Sequence, residues 1–205
     1  MTISVFNMGK RYLNEWIFKQ VNYTFEQGKS YALIGANGSG KSTLLQCIAG
    51  AIHPTKGSIT YTTNYNTIPT DAAYNYISMA APYLELVEEL TLWEMFQFHL
   101  KFKPLYSSLT ITQIIELVQL TNSTHKQIGN FSSGMKQRAK LALAFFSNTT
   151  TLLLDEPTAN LDEQGITLYH TLLQHYHYNR TIIISSNTLQ EYRSCQHILN
   201  VNDYK

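Results

Sequence analysis

Eight residues, Gly35-Ala36-Asn37-Gly38-Ser39-Gly40-Lys41-Ser42, follow the spacing G-x-x-x-x-G-K-[ST]. Glycines in such a run let successive backbone N–H groups turn toward one anion, and a helix opening at its end adds a positive pole. The chemistry implied is the gripping of a nucleotide's phosphates, ATP with its Mg²⁺. Asn37, Gly38, Ser39 and Gly40 line the cradle, Lys41 reaches the outer phosphates, Ser42 offers a hydroxyl to Mg²⁺, and Thr43 is a secondary phosphate contact. A second signal is Leu152-Leu153-Leu154-Asp155-Glu156, an apolar run ending in two carboxylates. Asp155 can hold hydrated Mg²⁺ and Glu156 can polarise an attacking water as general base. Taken alone, the pair also reads as two solvated acids at a strand end. A third is Phe131-Ser132-Ser133-Gly134-Met135-Lys136-Gln137-Arg138, small residues opening a helix. Its free N–H groups and the Ser132 hydroxyl make a second anion site; without the other two signals it is only an N-cap.

These residues need elements to position them. Ser30–Ile34 is a compact apolar strand before the glycine loop, and 42–50 reads as a helix stopped by Gly50. Thr2–Phe6 and Val21–Phe25 alternate in the manner of half-buried strands, and between Ala51 and Thr63, Pro54 and Gly57 bound a hairpin or short strand with Ser58–Tyr61 as its clearest piece. Leu92, Met95, Phe96, His99 and Leu100 recur at helical spacing, as do Ile111, Ile114, Ile115 and Val118, with Pro104 and Ser107-Ser108 between them. A third helix starts near Ser133. Thr151–Leu154 and Thr181–Ser185 read as buried strands, separated by a helix over about 164–176. Strands alternating with helices predict a parallel, mostly buried sheet.

Composition narrows the function classes. The chain has 205 residues, enough for one domain with an inserted sub-domain, and its net charge of +1 without a basic run disfavours nucleic acid as a partner. Cys47 and Cys195 have no metal-type spacing and read as reduced thiols, Cys47 buried and inert behind the phosphate loop. His170, His175 and His177 do not fall on one helix face, so they read as solvated or partly packed rather than as metal ligands. Residues 1–10 lack a signal-peptide pattern, and no apolar run approaches the roughly 18 residues that span a bilayer. A membrane role therefore requires another chain.

The phosphate loop, then Ser-Ser-Gly opening a helix, then Asp155-Glu156-Pro157-Thr158, then Asn160-Leu161-Asp162, resembles the nucleotide-binding subunit of ATP-binding cassette (ABC) transporters over essentially the whole chain. The resemblance implies an α/β P-loop NTPase in one domain: a RecA-like parallel sheet core with an antiparallel N-terminal β piece over about 1–75 and 139–205, and an inserted helical subdomain over about 82–138. It implies head-to-tail dimerisation around ATP and Mg²⁺. Ser132, Ser133 and Gly134 then form the signature run supplied in trans, and Asp162 belongs to the loop crossing the dimer seam. Tyr12 becomes the aromatic that stacks on adenine, with an ordinary core or surface tyrosine as the alternative. The partners are a second nucleotide-binding subunit, a homodimer in the simplest case, and a separate transmembrane permease. The latter places the chain on the cytoplasmic face of the membrane, docked in a groove beside the helical insert for which Trp93, Phe96 and Phe98 are lining candidates, with half or more of them expected in the insert's core.

The family pattern breaks in three places. The glutamine that normally follows the strand leading into the insert is absent from Ile77-Ser78-Met79-Ala80-Ala81-Pro82, and Gln97 reads as a solvated helix residue. Transmission to the permease then falls to Pro82–Leu86 or Glu85. The switch histidine aligns with Asn187, which donates a hydrogen bond but carries no charge, so slow hydrolysis follows. Ser133 and Met135 stand for a usual glycine and glutamine. Together with little chain after Asn187, the Ser-Ser-Gly-Met run points to an exporter-type ATPase. The alternatives are a nucleotide-gated clamp that hydrolyses weakly, and a soluble ABC ATPase outside transport.

Overall fold

The computed structural model describes residues 1–64, 66–106, 109–177 and 179–205. Ser107 and Ser108, read as part of a helix break, lie outside the described residues. Contacts divide the chain into two units: residues 1–79, 149–156 and 178–205, and residues 80–148 and 157–177.

In the first unit, β1 (Thr2–Tyr12) and β2 (Glu15–Phe25) form a long antiparallel hairpin. β3 (Ser30–Ile34) leads through the glycine loop into α1 (Lys41–Ile48). β4 (Lys56–Thr62) and the two-residue β5 (Thr67–Ile68) complete an antiparallel sheet of order β2-β1-β4-β5. β6 (Ile77–Ala80) opens the second sheet.

The second unit holds α2 (Leu92–Leu100), α3 (Ile111–Leu117) and α4 (Ser133–Phe146). The chain then enters β7 (Thr151–Asp155), makes α5 (Glu163–His175) and returns through β8 (Thr181–Ser185), the short α6 (Leu189–Tyr192) and β9 (His197–Asn200). The second sheet has the order β6-β7-β8-β3-β9, and β7, β8, β3 and β9 run parallel. Strands β7 and β8 are buried at every residue, so they read as continuous apolar runs and not as alternations.

The first unit is held by one apolar cluster. Ile3, Phe18 and Phe25 come from the antiparallel sheet, Leu33, Leu153 and Ile183 from the parallel one, and Leu44, Leu45 and Ile48 from α1. Each wholly buried leucine or phenylalanine contributes about 1.5–3 kcal/mol relative to exposure. A buried polar trio sits beside it: the Arg180 guanidinium donates to Ser78 Oγ and Thr149 Oγ1, both at 2.7 Å. Burial pushes the Cys47 thiol up to about 11 and the Cys195 thiol up to about 12.

The second unit is built around α4, which packs on α2, α3 and α5. The expected boundary at 139 falls inside α4, and both α4 and α5 belong to this unit. Thr91 and Thr110 open α2 and α3 with reciprocal capping boxes through Glu94 and Gln113. Phe96 is wholly buried, Phe98 is exposed and packs edge-on to Phe102, and Trp93 is half-buried. His99 is pushed down to about 4, chiefly by burial and further by Lys103. The Ser147 hydroxyl gives its proton to Leu143 O at 2.6 Å, so it accepts from His99 Nε2 at 2.7 Å, fixing the neutral Nε2–H tautomer. His175 and His177 bond their own helix-end carbonyls, Thr171 O and Gln174 O, through Nδ1. Among the described residues, no helix is long and apolar enough to cross a membrane, and no group of three or more His, Cys, Asp or Glu is set to hold a metal ion.

Candidate functional site

In the first unit the site is built at the carboxyl ends of β3, β7 and β8. The loop after β3 enters α1 through Gly40, whose φ of 99° is left-handed. A Cβ there would lie 2.4 Å from Ile17 Cγ2 on β2, so both the backbone angle and the approach of the hairpin demand glycine. Lys41 is 5% exposed, and its ammonium donates to Gly35 O at 2.8 Å and Ala36 O at 3.2 Å, closing the loop on itself. Burial lowers the Lys41 pKa, while Glu156 and then Asp155 pull it back up, which places both carboxylates in electrostatic range of the ammonium. Ser42 and Thr43, in the first turn of α1, are half-buried, and Ser39 Oγ is buried with no hydrogen-bond partner.

Asp155 ends β7. It is 1% exposed, and neither carboxylate oxygen has a hydrogen-bond partner. A buried, unpartnered carboxylate is costly and calls for a cation. Oxygen donors from Asp155 and the Ser42 hydroxyl suit a small, hard divalent ion that keeps several waters and completes its shell on phosphate, so these residues fit Mg²⁺. Glu156 is exposed with φ 42°, and its N–H donates to Ser185 O at 2.9 Å, extending the β7–β8 ladder by one rung. A left-handed conformation at a glutamate costs on the order of 1 kcal/mol and is held by that rung. Beyond β8, Asn187 Nδ2 donates to Asn37 Oδ1 at 2.6 Å, tying the position of the expected switch residue to the phosphate loop. Tyr12 ends β1 at 48% exposure with the Lys10 ammonium 5.0 Å from its ring centre.

In the second unit, Ser132 caps α4 and accepts from Met135 N at 3.3 Å. Ser132 and Ser133 are exposed. Gly134 is pressed by the 157–162 loop: a Cβ would lie 3.0 Å from Asn160 O. Asp162 caps α5 through Gly165 N at 2.8 Å and pairs with the Arg138 guanidinium at 2.8 Å. These two bonds, the Gly165 amide first, hold its carboxyl below the usual range. Ser132, Ser133, Gly134, Arg138, Asn160 and Asp162 share the wall of a cavity of about 450 Å³.

The first unit thus gathers Asn37, Lys41, Asp155, Glu156 and Asn187, and the second gathers Ser132–Gly134 with Asp162. Sequence reasoning missed Arg138, which also donates to Gln119 Oε1 at 2.8 Å, and Gln137, whose buried amide donates to Pro157 O at 2.8 Å. It also missed Lys205, whose ammonium donates to Gly38 O at 3.3 Å. Charged or amide side chains on a helix carry no signal of such distant partners.

Comparison with known proteins agrees with this geometry. The family described as ABC transporter matches residues 18–159. An uncharacterized ABC transporter ATP-binding protein of Bacillus subtilis, YybJ, is 34% identical over 203 residues, covering 98% of this chain and 92% of its own. The cytochrome c biogenesis ATP-binding export protein CcmA of Brucella abortus is 29% identical, covering 91% of this chain and 85% of its own. A solved dimeric ATP-binding cassette in a post-hydrolysis state with ADP and Pi superimposes with a TM-score of 0.84 at 21% identity, over 97% of this chain and 93% of its own. That last likeness is one of fold, and it reproduces the mixed parallel and antiparallel architecture described above. On the sequence matches and the two loops they span, the chain belongs to the ABC transporter family as an ATP-binding, ATP-hydrolysing cassette.

Proposed function

We propose that this cassette closes as a dimer on Mg-ATP and that hydrolysis reopens it, driving a separate membrane subunit of exporter type. The observation that carries the reading is Asp155: a buried carboxylate with both oxygens unpartnered, in electrostatic range of Lys41, one residue before the strained, exposed Glu156. Lys41 and the amides of 37–40 hold the phosphates, and Tyr12 stacks on the adenine. Ser42 and Asp155 would hold Mg²⁺, which supplies charge neutralisation on the phosphates. Glu156 orients water in line with the γ-phosphate, and Asn187 donates its amide there. Ser132, Ser133 and Gly134 of a second copy complete the site, with Asp162 at the seam. The export wording attached to CcmA supports the exporter assignment. The permease docks on the helical unit, and the cassette is thereby peripheral on the cytoplasmic face.

A second reading, a clamp that binds ATP and dimerises but turns over slowly, is favoured by the 2.6 Å Asn187–Asn37 bond, because the amide must leave Asn37 before it reaches phosphate. Glu156→Gln separates the two. Single-turnover hydrolysis should fall 100-fold or more, with ATP-dependent dimers accumulating, if Glu156 is the base. A rate unchanged by the substitution sinks the catalytic assignment and leaves the clamp.

A further inference from the structure

Two lysines of α4 reach one loop. The Lys140 ammonium donates to Pro82 O at 2.9 Å and Ala81 O at 3.3 Å. Four residues earlier, on the same helix face, Lys136 pairs with Glu88 at 2.5 Å. The helix therefore grips segment 81–88 at both ends. Backbone bonds close the same stretch onto the residues just before the signature serines: Gly129 N–H donates to Glu88 O and Ile128 N–H to Leu90 O, both at 2.9 Å. Phe131 N–H then donates to Ile128 O at 3.0 Å, and Ser132 follows at once as the cap of α4.

Lys140 is no free surface cation. Burial lowers its pKa, Glu85 pulls it back, and Lys136 lowers it further. Outward, the gripped segment presents Tyr83, Leu84 and Val87 at 41%, 39% and 41% exposure, and Glu85 and Glu89 are exposed as well. The segment thus has an exposed apolar side and an inner side held by two lysines of the helix whose N-terminus carries Ser132–Gly134.

We propose that Lys140 and Lys136 are positioning residues that lock segment 81–88 to α4, so that displacement of the segment's exposed Tyr83-Leu84-Val87 side shifts Ser132–Gly134. The inference rests on the reading above that these residues complete an ATP site. It adds the two side chains that join that site to the surface. Neither lysine is among the residues assigned above to the nucleotide. Both act through the backbone of 81–90 and the turn at 128–131. The grip is ionic at Glu88 and directed at the carbonyl oxygens of residues 81 and 82, so methionine in place of each lysine keeps the stem and removes the hold.

The test is hydrogen exchange on the whole chain, comparing wild type with Lys136→Met, Lys140→Met and the double substitution, and with Lys140→Arg as the charge-keeping control. In the double variant the amides of 128–136 should exchange at least fivefold faster, with those of β7 and β8 unchanged. Lys140→Arg should stay within twofold of wild type. In a Glu156→Gln background, the double variant should weaken ATP-driven dimerisation about tenfold while fluorescent-ATP affinity of the monomer stays the same. Unchanged exchange at 128–136 overturns the proposal. So does a uniform rise across α2, α3 and α5, which marks plain loosening of the unit. If the Glu156→Gln chain does not dimerise with ATP at all, the dimer reading falls instead, and the exchange comparison still decides the role of the lysines.

Discussion

Asp155→Asn is nearly isosteric and removes a charge from a place where the apo protein has no hydrogen bond for it. Leaving a buried polar group unsatisfied costs about 1–3 kcal/mol, more for a charge than for an amide. Part of that cost is already offset, because Asp155 lies in electrostatic range of the Lys41 ammonium. The net gain for the apo variant is therefore at the low end, about 1 kcal/mol, which for a chain of this size raises the melting temperature by about 2–4 °C. Ligand reverses the order. At a hundredfold excess over Kd, Mg-ATP stabilises the wild type by about 2.7 kcal/mol. The share of that shift which depends on Mg²⁺ should vanish from the variant, leaving the same melting curve with ATP plus chelator as with Mg-ATP. Thermal unfolding in four conditions measures it: apo, Mg²⁺ alone, ATP with chelator, and Mg-ATP. A variant that melts several degrees below wild type when apo, yet keeps the full Mg²⁺-dependent increment, would refute the reasoning.

His99 carries a pH prediction. Its pKa is near 6.5 in the unfolded chain and about 4 in the fold, so between those values the unfolded chain holds the extra proton and stability falls as pH falls. The loss should approach about 3 kcal/mol near pH 4, and His99→Gln should flatten that limb of a denaturation series; an unchanged slope in the variant would show that the titration lies elsewhere. Gly40→Ala forces a Cβ to 2.4 Å from Ile17 Cγ2 at φ 99°. It should cost about 2–4 kcal/mol in chemical denaturation and weaken ATP binding, and Ile17→Ala should restore only the packing share. A Gly40→Ala chain that unfolds like wild type would contradict the close approach of β2 to the phosphate loop.

The strands that carry the chemistry were legible because they are short, β-branched or leucine-rich, and buried on both faces: Ser30–Ile34 and Thr181–Ser185 appear with the expected bounds, and Thr151 begins β7 as read. The hairpin was read only in pieces. Asn7 and Gln20 take left-handed φ values of 45° and 56°, and the β1–β2 register shifts after Val5, which breaks the alternation that marks a strand. β9 escaped for a different reason. It is an edge strand paired only with β3, with Leu199 as its one buried residue, so it shows no periodicity. At the site, residue type and spacing pointed to Lys41, Asp155 and Glu156. They gave no hint of the Asn187–Asn37 bond, which joins positions 150 residues apart, nor of Lys136, Arg138 and Lys140, which look like any solvated helix cations.

Burial disfavours the thiolate at both cysteines of the first unit. With pKa values of about 11 and about 12, Cys47 and Cys195 present at most about one thiolate in ten thousand molecules at neutral pH, too few to compete for an alkylating reagent. A single Ser133→Cys substitution on the exposed opening of α4 therefore needs no cysteine-free background. The reaction rate of that one thiol, followed as nucleotide is added and spent, then tests the proposed closure: a rate that nucleotide leaves unchanged would count against a second copy covering Ser132–Gly134.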